Sequence, residues 1–148
     1  MVKKFLRFLA GDNQQQPDQQ LSLTQDGQPL APSSQRLNNA VVYRKFSDAI
    51  SDAGGSELAY PKAVTAETEE LFDCKPRQLY KAVGGKVNDR STLPLEAQAA
   101  YQASEIKAWW RLRQGGEAQD LQTQDEKDRY IVETARRAAK ETRDDAPW

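Results

Sequence analysis

The chain has 148 residues, 38% hydrophobic and 29% charged, with a formal net charge of -1. That size allows one compact domain with an arm or tail, and the near-neutral balance excludes bulk attraction to a polyanion. A single cysteine, Cys74, excludes an internal disulfide and fits a reducing, cytoplasmic setting; with no histidine, the commonest zinc ligand and general base are missing.

Met1 to Ala10 places Val2, Phe5, Leu6 and Leu9 on one helical face, with Lys3, Lys4 and Arg7 off it. Arg7 interrupts the apolar run and no cleavage site follows, so a secretory signal is not indicated. The stretch reads as an arm that packs on the domain or on a partner, with a weak interfacial membrane contact as the alternative. Residues 11–36 are Gln-rich, carry Pro17, Pro29 and Pro32, and lack aliphatic periodicity. Such a segment buries too little to offset its ordering entropy, so it reads as a flexible linker. Within it, Asp26-Gly27 marks a conceivable small hairpin over Leu21 to Leu30.

Leu37 to Ala53 is the first convincing helix, with Val42, Phe46, Ala49, Ile50 and Ala53 at helical spacing and Gly54-Gly55 as its stop. The residue before Pro61 is disfavoured in a helix, so Ser56 to Pro61 is expected to cross over in an extended or turn conformation. A second helix runs from Lys62 or Thr65 to Phe72, with Thr65 as a plausible cap. Asp73-Cys74 makes a turn, Pro76 opens a short helix to Val83, and Gly84-Gly85 ends it.

The long helix Pro94 to Arg113 carries two apolar stripes. Leu95, Ala99, Ala103, Ile106 and Trp110 form one; Ala97, Tyr101, Ala108 and Leu112 form a second, nearly opposite. A helix apolar on two sides lies between layers or joins a second subunit, which makes Tyr101, Trp109 and Leu112 candidate interface residues for a homodimer or another protein. A charged helix follows over Leu121 to Arg143. Its narrow face of Tyr130, Ile131, Thr134, Ala135 and Ala138 suits loose docking or a dimer arm better than a core. The expected fold class is therefore all-α, with four to five helices. Its parts are a basic arm (1–10), a linker (11–36), a helical core (37–114) and a charged helix with tail (117–148).

Charge is segregated along the chain. Between Lys75 and Arg90 five basic residues stand against Asp89 alone, whereas Glu117 to Trp148 holds six basic and nine acidic residues. The basic segment coincides with the paired short helices. VTAETEELFDCKPRQLYKAVGGK, Val64 to Lys86, resembles the small helix-turn-helix modules of excisionases and MerR-type regulators. The shared residues are Leu71-Phe72, Cys74, Pro76-Arg77, Leu79-Tyr80 and Gly84-Gly85-Lys86.

The resemblance implies that Pro76 to Val83 is a recognition helix and that Lys86 to Arg90 approximates a wing. Arg77 and Gln78 would then read base edges, since arginine grips guanine and glutamine adenine, while Lys75, Lys81, Lys86 and Arg90 lie near phosphates. Asp73 departs from the glycine usual in the turn, though aspartate tolerates a left-handed backbone. Glu69 replaces a small apolar residue, and Lys75 the usual capping serine or threonine. The competing reading of this segment is an ordinary helical hairpin in a charged surface. Cys74, beside Lys75 and Arg77, invites a lowered thiol pKa but reads better as a small apolar plug. Trp109-Trp110 resembles a stacking platform, and Glu67, Glu69, Glu70 and Asp73 a metal site, yet helix geometry turns the tryptophans apart and the acids read as a solvated face.

No catalytic, cofactor or metal constellation emerges from spacing. The sequence points to a non-enzymatic DNA-binding protein, with a protein–protein adaptor built on the two-faced helix as the alternative.

Overall fold

The computed structural model of the protein describes residues 3–12, 33–115 and 120–148. Six α-helices and one short 3-10 turn make up the ordered elements among them, and no strand occurs among the described residues. They are α1 (Lys3–Asp12), α2 (Ser33–Asp52), α3 (Ala59–Phe72), α4 (Pro76–Val83), α5 (Leu95–Gln114) and α6 (Gln124–Asp144), with the 3-10 turn at Arg90–Thr92. Helix enters the expected linker from both ends. Its residues 13–32, including the hairpin expected at Leu21 to Leu30, lie outside the described residues.

The N-terminal arm is a helix that docks on its own domain. Phe5 is buried, its ring 5.0 Å from that of Phe72 and 4.9 Å from that of Trp148, with Leu6 and Leu9 packed alongside. The apolar face read from the sequence is thus spent internally.

Helix α2 starts at Ser33, ahead of the expected Leu37, and ends as expected at the glycine pair. Gly54 adopts φ 82°, and the Gly55 amide donates to Ile50 O at 2.9 Å, a C-terminal closure that a left-handed residue permits. Gly55 also makes room: a Cβ there would stand 2.8 Å from Ile50 Cγ2 and 2.9 Å from Ile131 Cδ1.

Of the extended or turn crossing expected over Ser56 to Pro61, a short turn occurs, its Ala59 amide donating to Ser56 O at 3.0 Å, but helix α3 already begins at Ala59 and runs through Pro61. Proline as the third helical residue loses nothing, because the first amides of a helix have no intrahelical acceptor. Thr65 lies within the helix and caps nothing; its hydroxyl donates to Pro61 O at 2.9 Å. The connection from α2 is instead held by Asp128 of α6, whose carboxylate accepts from the Ser56 amide at 2.9 Å and from the Ser56 hydroxyl.

Two apolar clusters form the core. Phe46, Ala49, Ile50, Ala59, Ala63, Ala108, Leu112, Ile131, Ala135 and Ala138 make one. Phe5, Leu71, Phe72, Leu79, Tyr80, Leu93, Ala97, Tyr101 and Ala139, with Cys74, belong to the other. Complete burial of a side chain such as Phe46 contributes about 1.5–3 kcal/mol.

Helix α6 supplies both clusters, which corrects its reading as a loosely docked arm outside the core. Half of its buried positions are alanines, and Ala135 and Ala138 share a cluster with Ala59 and Ala63 of α3. Small side chains on both helices let the backbones approach, so close packing replaces bulk. Thr123 caps α6: its hydroxyl accepts from the Glu126 amide at 3.2 Å, and Glu126 accepts in return from the Thr123 amide at 3.2 Å.

Helix α5 departs most from its reading. Ala97, Gln98, Ala100, Tyr101, Ser104, Glu105, Ala108 and Leu112 face inward. Of the stripe expected to be the first apolar face, Ala99, Ile106 and Trp110 are exposed and Leu95 and Ala103 only partly covered. The second stripe, Ala97, Tyr101, Ala108 and Leu112, is the buried one, and three polar residues share that side with it, so only one of the two apolar stripes faces the core.

Candidate nucleic-acid face and the polar cavity beside it

Helices α3 and α4 are joined by a tight turn at Asp73–Lys75. Asp73 takes the left-handed conformation, φ 56° and ψ 35°, and its amide donates to Glu69 O at 2.9 Å. Aspartate stands where such turns favour glycine, and the short polar side chain tolerates the strain. Cys74 is buried as a plug between the helices, and burial pushes its thiol up to about 11, the reverse of an activated cysteine.

Helix α4 is anchored on one side and free on the other. Leu79 and Tyr80 are buried, whereas Lys75, Arg77, Gln78 and Lys81 are exposed, as is Lys86 just beyond. None of these four cations forms an ion pair among the described residues. Gln78 serves the helix itself: its Oε1 accepts from the Lys75 amide at 3.0 Å, which supplies the cap that Lys75 cannot. That oxygen is therefore engaged in the cap, which weakens the case for a bidentate grip on adenine.

Residues 86–92 form a turn where the resemblance implied a wing. The Lys86 amide donates to Thr92 Oγ1 at 2.9 Å, Asn88 is left-handed at φ 66°, and the Asp89 carboxylate accepts from the Ser91 amide at 3.1 Å. This turn carries Arg90 inward. Arg90 leaves the group of phosphate-facing candidates, because its guanidinium pairs with the buried Glu105 and lies 4.2 Å from the Tyr101 ring centre.

Arg90 faces a second carboxylate as well. Glu67 is 1% exposed, and its carboxyl has at most the Ser104 hydroxyl as a hydrogen-bond partner. Burial, reinforced by the charge of Glu105, pushes the Glu67 carboxyl well above the usual range. Burial also raises Glu105, against the pull of Arg90. Arg90 stays firmly protonated: burial opposes its charge, but Glu105 and Glu67 outweigh that. Thr68 and Tyr101 add a hydroxyl pair at 2.7 Å across the same interface. Along α3 the Glu67–Thr68 pair falls between Ala63 and Leu71, and along α5 Ser104–Glu105 falls between Tyr101 and Ala108. The polar cluster thus separates the two apolar cores.

Beside the cluster opens a cavity of about 530 Å³, to which α4 contributes Pro76 and Tyr80. Its floor includes Tyr101, Gln98 and Glu105, all buried, and its rim includes the exposed Tyr43.

No family model, curated protein or solved structure matches the chain.

The candidate interface residues fare unevenly. Tyr101 and Leu112 are 2% and 6% exposed inside their own chain, so neither is available to a second one. Trp109 is half-buried, with Lys45 Nζ 4.9 Å and the Arg113 guanidinium 5.3 Å from its ring centre. The outward apolar residues of α5 are Ile106 and Trp110, 43% and 57% exposed. The Trp109 and Trp110 planes are inclined at 57°, which does not make a parallel stacking platform.

The acids Glu67, Glu69 and Glu70 separate. Glu67 turns inward, while Glu70 meets Arg136 and Arg143 of α6, each at 3.8 Å. Among the described residues no three acidic, cysteine or histidine side chains converge as a metal site, and no helix is long and apolar enough to cross a membrane. Sequence reasoning missed the Arg90–Glu105–Glu67 cluster. Its only trace was the polar pair Ser104-Glu105 in the middle of the second α5 stripe.

Proposed function

We propose that this is a non-enzymatic DNA-binding protein that presents α3 and α4 as a helix-turn-helix and works in a reducing, cytoplasmic compartment. The observation that carries the reading is the outward face of α4: Lys75, Arg77, Lys81 and Lys86 are exposed and free of acidic partners among the described residues. Unpaired cations on a short helix fixed from behind by Leu79 and Tyr80 need no rearrangement before meeting a phosphodiester backbone. Arg77, near the start of the helix, stands where a recognition helix contacts base edges. Local charge explains how a chain of net charge -1 can still favour a polyanion. Fluorescence anisotropy with a mixed-sequence duplex tests this. The Arg77→Ala/Lys81→Ala double variant is expected to weaken binding by about tenfold or more, and absence of binding by the native chain at low salt would overturn the proposal.

A second reading has its own observation. Ile106 and Trp110 share an exposed stripe on α5, and such a stripe suits a protein partner. A stoichiometric protein partner lost on Trp110→Asp, with no duplex binding, would favour the adaptor reading.

A further inference from the structure

Helix α5 carries a seam that its own core does not use. Glu96, Ala99, Ala103, Ile106, Trp110 and Arg113 recur at spacings of three, four, three, four and three, the pattern by which two helices pack side by side. All are exposed except Ala103, which is half-buried. The core is built on the other side of α5, against α2 and α6. An outward indole leaves a large apolar area in water, and Trp110 is 57% exposed.

The two halves of the seam have opposite relief. Toward the start of α5, Ala99 and Ala103 line a hollow of about 390 Å³, together with Ala146, Pro147 and Trp148 from the end of the chain. Toward the end of α5, Ile106 and Trp110 stand out. The hollow is ample for an indole, since an apolar cavity of about 150 Å³ already admits benzene. Trp110 cannot fill the hollow of its own chain, because it lies about 16 Å beyond Ala99 along the helix axis.

Charge follows the same division. Glu96 stands at the hollow end and Arg113 at the other, its guanidinium 5.3 Å from the Trp109 ring centre. Neither forms an ion pair among the described residues. A second α5 laid antiparallel, with a two-fold axis midway between Ala103 and Ile106, brings three pairs level at once. Ala103 meets Ile106, Ala99 meets Trp110, and Glu96 meets Arg113. Small faces large and acid faces base, and the symmetry repeats each pair. A parallel pairing sets Trp110 against Trp110 and Glu96 against Glu96, which loses both matches. Lys107, beside the seam, is held by Asp145 at 3.5 Å and brings no unmet charge to the axis.

We propose that α5 pairs antiparallel with α5 of a second copy of this chain, Trp110 of each seated in the hollow over Ala99 and Ala103 of the other. The proposal takes from the adaptor reading only the premise that this stripe is a protein interface, and it is independent of duplex binding. A helix of 20 residues is about 30 Å long, so the contact falls at the low end of specific interfaces. A dissociation constant on the order of 10–100 µM is expected.

Sedimentation equilibrium of the full chain, without DNA, from about 5 to 500 µM reads the result. The native chain is expected to pass from monomer to dimer over this range. Trp110→Ala, and Ala99→Phe, which fills the hollow, should each weaken the dimer about tenfold or more. Both positions are exposed, so both variants are expected to fold, which circular dichroism checks. Glu96→Arg and Arg113→Glu should each weaken the dimer about tenfold, and the double exchange should restore it to within about threefold. A chain that stays monomeric throughout overturns the proposal and leaves the stripe to a foreign partner. So does a dimer unaffected by Trp110→Ala in a folded chain, or single charge reversals that have no effect or are not rescued by the double exchange.

Discussion

Replacing Glu67 with methionine should stabilise the fold. The native carboxyl is 1% exposed, lies near the Glu105 charge, and has at most the Ser104 hydroxyl as a partner, so at least one oxygen is unsatisfied. An unsatisfied buried polar group costs about 1–3 kcal/mol, and methionine fills similar volume without that cost. Taking about 2 kcal/mol as the gain, a chain of this length should melt roughly 4–8 °C higher.

The pH dependence gives a sharper test. Glu67 has its folded pKa raised above the unfolded value, so the stability linked to its bound proton is fully present below the unfolded pKa. As pH rises from about 4.3 toward the folded pKa, the native chain loses stability by up to about 1.4 kcal/mol per pH unit from this group. The methionine variant lacks that loss, so its advantage should widen between acidic and neutral pH. Urea unfolding followed by circular dichroism at several pH values measures both quantities. A variant that is less stable than native, or whose advantage is constant with pH, would refute the reasoning.

Gly55→Ala should cost about 1–3 kcal/mol, because its methyl would stand 2.8 Å from Ile50 Cγ2 and 2.9 Å from Ile131 Cδ1. A lowered urea midpoint with an unchanged m-value would show it. Arg90→Met leaves Glu105 and Glu67 without their shared cation and should cost about 3–5 kcal/mol near neutral pH. Because both carboxyls are more easily protonated in acid, the same variant should recover part of that loss as pH is lowered, which the pH series in urea would record.

Local chemistry was the most legible part of the sequence. Asp73 in a left-handed turn, Pro76 opening α4 and the glycine stops after α2 and α4 follow from backbone sterics alone, and the structure has each of them. Packing was less legible. The apolar face of α6 is mostly alanine, which carries little hydrophobic weight in a pattern but permits the close approach to Ala59 and Ala63 that a longer side chain would block. On α5 the inward positions include Gln98, Ser104 and Glu105, so the strongest apolar letters, Ile106 and Trp110, marked the exposed side.

The exposure of Lys75, Arg77 and Lys81 was visible in the spacing of α4 around Leu79. The inward turn of Arg90 was not. It depends on a carboxylate 15 positions away in sequence, Glu105, and on a 3-10 turn with no strong signature of its own. The polar cavity is likewise built from α2, α3, α4 and α5 together, a convergence that no local pattern encodes.

The salt dependence of duplex binding tests the central claim most directly. With Lys75, Lys81 and Lys86 each displacing a counterion at a phosphate, the logarithm of the association constant should fall against the logarithm of salt concentration with a slope of roughly -3. The Arg77→Ala/Lys81→Ala variant should reduce that slope by about 1, through Lys81, and lower affinity further through Arg77. Binding that is absent at low salt, or a slope unchanged by the double substitution, would contradict the assignment of this face to DNA.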